Sequence, residues 1–292
     1  MTNLSETLGS YQQRLTQAFD AQLTHTTLEP TLGEAMKYGV LNGGKRIRPA
    51  LVYMVNQLLG GNLNHADPAA VAIECLHSYS LVHDDLPAMD DDDLRRGKPT
   101  CHIKFDEATA ILAGDGLLTF AFELLTQGEL SAEQKVAMVA TLAKSAGPYG
   151  MVGGQAFDLA HVDKPLTLVQ LEAMHNHKTG ELILAAIELG AISANATADD
   201  KKALAEYGAA IGLAFQVQDD ILDIEGSTEE LGKPQGSDLA AHKPTYPSLL
   251  GLDGAKEKLN LLHQQAVKSL EPFGEAAAPL IALADFIVTR TH

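Results

Sequence analysis

Six aspartates fall within ten residues of this chain. Asp84, Asp85, Asp90, Asp91, Asp92 and Asp93 lie in the stretch LVHDDLPAMDDDDLRRGKPT, with Arg95, Arg96 and Lys98 directly behind them. A charge run is ordinarily a solvated face, but this one follows an apolar helical segment, Ala69–His83, so Asp84 and Asp85 emerge from the end of a buried element. Like charges this dense repel strongly unless cations share the site, and Mg²⁺ suits hard carboxylate oxygens. An EF-hand is excluded. Counted from Asp91, Arg95 and Arg96 occupy the fifth and sixth positions, where an oxygen ligand and a glycine belong.

A second acidic cluster stands in Phe215–Asp223, FQVQDDILD. Asp219 and Asp223 are four apart, so on a helix they share a face. Paired carboxylates among apolar neighbours are costly unless positive charge sits between them. The third element is Gly43-Gly44-Lys45-Arg46-Ile47-Arg48-Pro49. Gly39 to Lys45 matches the start of a P-loop, but Arg46 takes the Ser/Thr place and no strand precedes it. The glycine turn instead presents Lys45, Arg46 and Arg48 as an anion clamp, guanidiniums being suited to bidentate phosphate contacts. Lys178-Thr179-Gly180 opens an apolar helical run, and Gly232-Lys233-Pro234 and Lys243-Pro244-Thr245-Tyr246-Pro247 follow the second cluster. Carboxylates for several divalent ions, basic anchors and apolar helices together suit the binding and ionisation of a diphosphate whose hydrocarbon part is kept from water.

The elements that must position these groups are helices. Leu8–Phe19, Ala69–His83, Ala108–Leu125, Glu133–Ser145, Leu168–Ala194 and Lys201–Leu222 are rich in Ala, Leu and Glu. Ser131 with Gln134, and Thr167 with Gln170, have capping-box spacing. Breaks fall at Gly60-Gly61, Gly128, Gly147-Pro148, Asp163-Lys164-Pro165 and Gly226-Ser227. No strand-turn-strand alternation or repeat period is visible. The expectation is an all-α chain of about ten or more helices, folded as a single domain over residues 1–292.

Acidic residues outnumber basic ones by 38 to 21 in 292 residues, a formal charge of −17. Such a surface disfavours nucleic acid and anionic lipid, so an anionic ligand needs a local reversal of the field. Cys75 and Cys101 are too few for a disulfide framework or a four-cysteine zinc site. The first residues lack a signal-peptide pattern, and the apolar runs Leu182–Ile187 and Ala276–Ala284 are too short to span a bilayer. A cytoplasmic protein without stable membrane association is expected.

With these motifs in place, the chain resembles the trans-polyprenyl diphosphate synthases, specifically their bacterial, farnesyl-forming members. HDDLPAMDDDDLRRGKP resembles the first aspartate-rich motif, FQVQDDILD the second, and GGKRIRP, KTG and GSDLAAHKPTYP complete the set. The resemblance implies an isoprenoid synthase fold with a central apolar cavity. It also implies a homodimer and Mg²⁺, three ions per site, with Mn²⁺ as the alternative. Asp84, Asp90 and Asp219 would ligate the metals, with Asp85 and Asp223 in support. Arg95, Lys178 and Lys233 would hold the allylic diphosphate. Gly44, Lys45, Arg48, His77 and Arg96 would form the isopentenyl diphosphate site. Lys178, Thr179 and Gln216 would present oxygens to the developing carbocation. The substrates would be isopentenyl, dimethylallyl and geranyl diphosphates, the released diphosphate acting as base. Tyr79, five residues before Asp84, resembles the pocket floor of synthases that stop at C15; a geranyl or geranylgeranyl product, or a noncatalytic subunit of a two-chain synthase, are the alternatives. By the same resemblance, Arg290 would cover the isopentenyl site. His175 and His177 stay unassigned, since i, i+2 residues on a helix point apart.

Overall fold

Runs of good helix formers closed by glycine breaks become helices almost throughout this computed structural model, which describes residues 4–23, 27–162, 164–226 and 244–291. Among the described residues the chain is all-α apart from one small hairpin. It falls into two compact units, one formed by residues up to Ala140 with Ile192–Ala194, the other by Thr141–Ala191 and the residues from Asn195 onward.

The first unit holds α1 (Leu4–Gln22), α2 (Pro30–Leu41), α3 (Ile47–Leu58), α4 (Leu63–Asp84), the short α5 (Cys101–Lys104), α6 (Glu107–Leu125) and the start of α7 (Ala132–Ala146). Its centre is α4, which buries Ala69, Ile73, Leu76, Tyr79 and Val82 and packs on α2, α3 and α6. A helix apolar on nearly every side belongs inside. Its last residues are therefore held rigidly where Asp84 and Asp85 leave it. The acidic loop that follows is pinned by a hairpin, β1 (Leu94–Arg95) against β2 (Lys98–Pro99), around Arg96-Gly97. Both turn residues have positive φ, 55° and 72°, the geometry that matches strand twist in a two-residue turn. No strand-turn-strand alternation marks this hairpin in the sequence. Both cysteines are free and buried in this unit.

The second unit carries α8 (Met151–Ala160), α9 (Leu168–His175), most of α10 (Glu181–Ser193), α11 (Ala198–Glu225), α12 (Tyr246–Ser269), a 3₁₀ segment (Glu271–Ala277) and α13 (Ala278–Thr289). The run read as one helix from Leu168 to Ala194 is interrupted by a π-helical turn, Asn176–Gly180, which contains the KTG triplet. Such turns concentrate at functional sites. The spine of the unit is α11, packed on α12 and α13. Asp220 accepts the Tyr246 backbone N–H at 2.8 Å, fixing where α12 begins. The capping boxes at Ser131/Gln134 and Thr167/Gln170 form as expected. Two more, at Thr197/Asp200 and Thr245/Ser248, carry Asp and Ser where Glu or Gln is the usual signal.

Against the expectation that apolar runs are too short, Glu107–Leu125 and Glu271–Thr289 reach the length and apolar character of a span, with mean hydropathies of 1.5 and 1.3. The first of these, α6, buries Ala110, Ala113, Leu117, Ala121 and Leu124 and packs on α2 and α4. That is the character of a core helix.

Candidate active site

The proposed residues divide between the two units. Gly44, Lys45, Arg48, His77, Asp84, Asp85, Asp90, Arg95 and Arg96 belong to the first; Lys178, Thr179, Gln216, Asp219 and Asp223 belong to the second. Lys233 and the stretch 236–243 lie outside the described residues.

In the first unit the acidic loop folds back on the end of α4. The Asp90 backbone N–H donates to the Asp84 carbonyl at 2.9 Å, and that of Asp92 to the Asp85 carbonyl at 3.2 Å. Residues six and seven apart in sequence are thus tied together at one helix end. Helix C-termini carry partial negative charge, so carboxylates gathered there call for a cation. Asp85 is buried, and burial raises its carboxyl pKa against the opposing pull of Arg95. Arg95 donates to it through Nε at 2.6 Å, with Nη2 at 2.5 Å. Asp85 therefore braces Arg95, while Asp90 is exposed.

Beside this loop lies a basic cluster. Arg48 Nη1 is 3.3 Å from His77 Nε2. Burial first, then the charges of Arg48, Arg96, Arg46 and Arg95, hold the His77 pKa well below its ordinary 6.5. Arg96 is seated on the glycine turn, donating to the Gly43 carbonyl. Gly44 has φ 108°, and a Cβ there would lie 2.5 Å from the Arg96 Cζ. A side chain there would push that guanidinium from its seat. Arg46 departs from the sequence expectation. It is buried, ion-paired to Glu74 and hydrogen-bonded to the Val40 carbonyl, so it anchors the loop rather than facing a ligand. Guanidiniums gathered around the His77 imidazole form the local positive field that an anion needs in an acidic protein.

The sign of the His77 effect is testable. The folded state binds fewer protons than the unfolded one below pH 6.5, so His77 lowers stability as pH falls from 6.5 through the folded-state value. We expect His77 to stay neutral at pH 6 by NMR. Inorganic diphosphate should raise its pKa by offsetting the arginine charges. An ordinary titration near 6.5, unmoved by diphosphate, would contradict the cluster's electrostatics.

In the second unit Lys178 donates from Nζ to Asp158 Oδ2 at 2.6 Å. Asp158, on α8, was not singled out from sequence. Its signal was the glycine pair in MVGGQAFDLA: a Cβ on Gly154 would lie 2.3 Å from the Lys178 backbone nitrogen, so α8 meets the π turn closely. On α11, Gln216 Nε2 stands 3.4 Å from Asp219 Oδ2. Asp223 is buried one helical turn on. His175 is buried against Tyr246, with ring centroids 5.8 Å apart, and burial pushes its pKa down to about 4. His177 instead turns outward, its Nδ1 2.6 Å from the Ala173 carbonyl, so the two histidines do point apart. Arg290, expected over the isopentenyl site, is buried and pairs with Asp219 at 2.6 Å.

Among the described residues no group of three or more His, Cys, Asp or Glu side chains converges on a metal position. The donor set nevertheless fits a hard divalent ion. Mg²⁺ is bound through one or two carboxylates together with waters and substrate phosphates rather than in an all-protein cage, and each motif offers carboxylates near cationic anchors.

An all-α fold with aspartate-rich helix ends beside basic side chains is the architecture of a class of helical enzymes that act on diphosphates. The chain belongs to the polyprenyl synthetase family, whose model matches residues 29–276. It is 52% identical over 296 residues to the farnesyl diphosphate synthase of Haemophilus influenzae, covering 99% of each chain. To the farnesyl diphosphate synthase of Escherichia coli it is 52% identical over 268 residues, covering 88% of each. Among solved structures, a geranyltransferase from Legionella pneumophila matches with a TM-score of 0.88 at 40% identity, covering 99% of this chain and 98% of that one.

Proposed function

We propose that this chain is a trans-prenyltransferase that condenses isopentenyl diphosphate head-to-tail with dimethylallyl and then geranyl diphosphate, releasing farnesyl diphosphate. The observation that carries this reading is the arginine cluster around His77 standing beside an aspartate loop tied back onto the end of α4. An anion site and a cation site lie together on an otherwise acidic chain.

In this account Lys45, Arg48, His77 and Arg96 hold the isopentenyl diphosphate, with Gly44 seating Arg96. Arg95, Lys178 and Lys233 hold the allylic diphosphate. Asp84, Asp90 and Asp219, with Asp85 and Asp223 in support, would hold three Mg²⁺ ions, Mn²⁺ substituting. Bound divalent cations supply the positive charge that stabilises diphosphate as it leaves. The allylic C–O bond breaks with its electron pair going to diphosphate. Thr179, Gln216 and the Lys178 carbonyl present oxygens to the allylic cation. The isopentenyl double bond forms the new C–C bond, and the adjacent carbon loses a proton to the released diphosphate. Tyr79, buried on α4, closes the hydrocarbon pocket at C15. The two units work as one synthase domain over residues 1–292, supported by a family match that crosses their boundary. The enzyme acts as a homodimer in the cytoplasm.

Diphosphate release by the purified chain tests this reading. It should require isopentenyl diphosphate, an allylic starter and Mg²⁺ together, and EDTA should stop it. Release from the allylic starter alone at the full rate would contradict condensation. Gly44→Ala should raise the KM for isopentenyl diphosphate roughly 10- to 100-fold, because it displaces Arg96 from its seat, while the KM for geranyl diphosphate stays near the parent value. Steady-state kinetics with each substrate varied in turn would separate these effects.

A further inference from the structure

The last turn of the chain returns to the second aspartate motif. Arg290 caps α13 in extended conformation. Its backbone is held at both ends: its N–H donates to the Phe286 carbonyl at 2.9 Å, and its carbonyl accepts from Gln218 Nε2 at 2.9 Å. The side chain lies against α11, with Cζ 4.1 Å from the Phe215 ring centroid. Nη2 donates to the Phe215 carbonyl at 3.0 Å and to Asp219 Oδ1 at 2.6 Å. The partners are exposed very differently, the arginine side chain at 4% and that of Asp219 at 44%. The cation is thus fixed within the protein, and the carboxylate stays half open. Gln216 Nε2 approaches the second oxygen, Oδ2, at 3.4 Å.

We propose that Arg290 is a positioning residue for Asp219: it clamps one carboxylate oxygen so that the other is presented, in a fixed rotamer, to a divalent cation on the substrate diphosphate. This rests on the reading above that Asp219 is a metal ligand. Outer partners that orient a ligating carboxylate set its metal affinity, and their loss costs roughly 10- to 100-fold. Two features favour a positioning role over a purely structural one. The tail is tied down by backbone bonds that survive truncation of the side chain. Arg290 also binds Asp219 rather than the neighbouring Asp220, which is engaged with the α12 N-terminus.

The test uses the full chain and Mn²⁺ binding followed by EPR in the presence of inorganic diphosphate, with Arg290→Gln, Arg290→Lys, Asp219→Asn and the Arg290→Gln/Asp219→Asn double variant. Arg290→Gln should weaken Mn²⁺ binding about 10-fold or more, Arg290→Lys should recover part of the loss, and the KM for isopentenyl diphosphate should hold. In the Asp219→Asn background, Arg290→Gln should have no further effect, as expected of groups acting through one another. If Arg290→Gln fails to fold, Arg290→Lys carries the comparison. Wild-type Mn²⁺ affinity in the Arg290 variants, with Asp219→Asn weakened, overturns the positioning role alone. Wild-type affinity in Asp219→Asn overturns the metal-ligand reading with it. A raised isopentenyl diphosphate KM with Mn²⁺ binding intact also overturns the proposal, placing Arg290 over the isopentenyl site instead.

Discussion

Asp84→Ala should lower kcat for condensation by roughly 10³-fold, the scale on which losing one preorganised group that stabilises transition-state charge is felt, with little change in thermal stability. Asp84 is the last residue of α4, at a helix end where its charge is unfavourable and crowded by other carboxylates. Removing it relieves that repulsion but also gives up its attraction to Arg95, so Tm should change little while turnover collapses. The backbone bond from Asp90 comes to the Asp84 carbonyl, not its side chain, so the loop keeps its shape in the variant. Asp93→Asn is the control: its side chain is exposed and has no assigned role, and turnover should stay near the parent rate. Parallel kinetics and thermal denaturation read both quantities. An Asp84 variant that turns over normally, or that loses activity only by unfolding, would remove the first carboxylate from the mechanism.

Lys178→Ala should cost roughly 10²- to 10³-fold in kcat, chiefly through lost stabilisation of the departing diphosphate. Lys178 lies in a π turn, which aims its side chain differently from a continuous helix, and Asp158 fixes the ammonium from α8. Asp158→Asn should therefore give a smaller loss, with Lys178 present but less firmly placed. The two effects should not add, because Asp158 acts through Lys178. A double-mutant cycle on kcat measures this. Full additivity would mean that Asp158 serves some other purpose.

Much of this site was legible in sequence because its chemistry is written in residue types. Six clustered aspartates, a second pair at helical spacing and a glycine turn carrying basic residues each violate what an ordinary surface or core would hold. Helix identity was legible for the same reason, since α1, α6, α7 and α11 are long and rich in good helix formers. What was hidden depends on partners distant in the chain. Arg46 reads as one more cation in GGKRIRP, yet Glu74 in the buried α4 draws it inward. Asp158 lies 20 residues from Lys178, and only the close approach at Gly154 hinted that something packs there. The π turn was invisible because Asn176–Gly180 lies inside a run of helical residues. Arg290 reads as a tail residue, and its meeting with Asp219, 71 residues away, is a product of the fold alone.

The most direct test of the central claim is the chain length of the product. Purified protein, Mg²⁺ and isopentenyl diphosphate are incubated separately with dimethylallyl and geranyl diphosphate, and the products are dephosphorylated and sized. The account predicts one dominant C15 alcohol from both starters. No prenyl transfer from either starter, by a folded protein that still binds divalent metal, would contradict it; a C10 or C20 endpoint would leave the condensation standing and remove Tyr79 as the floor of the pocket.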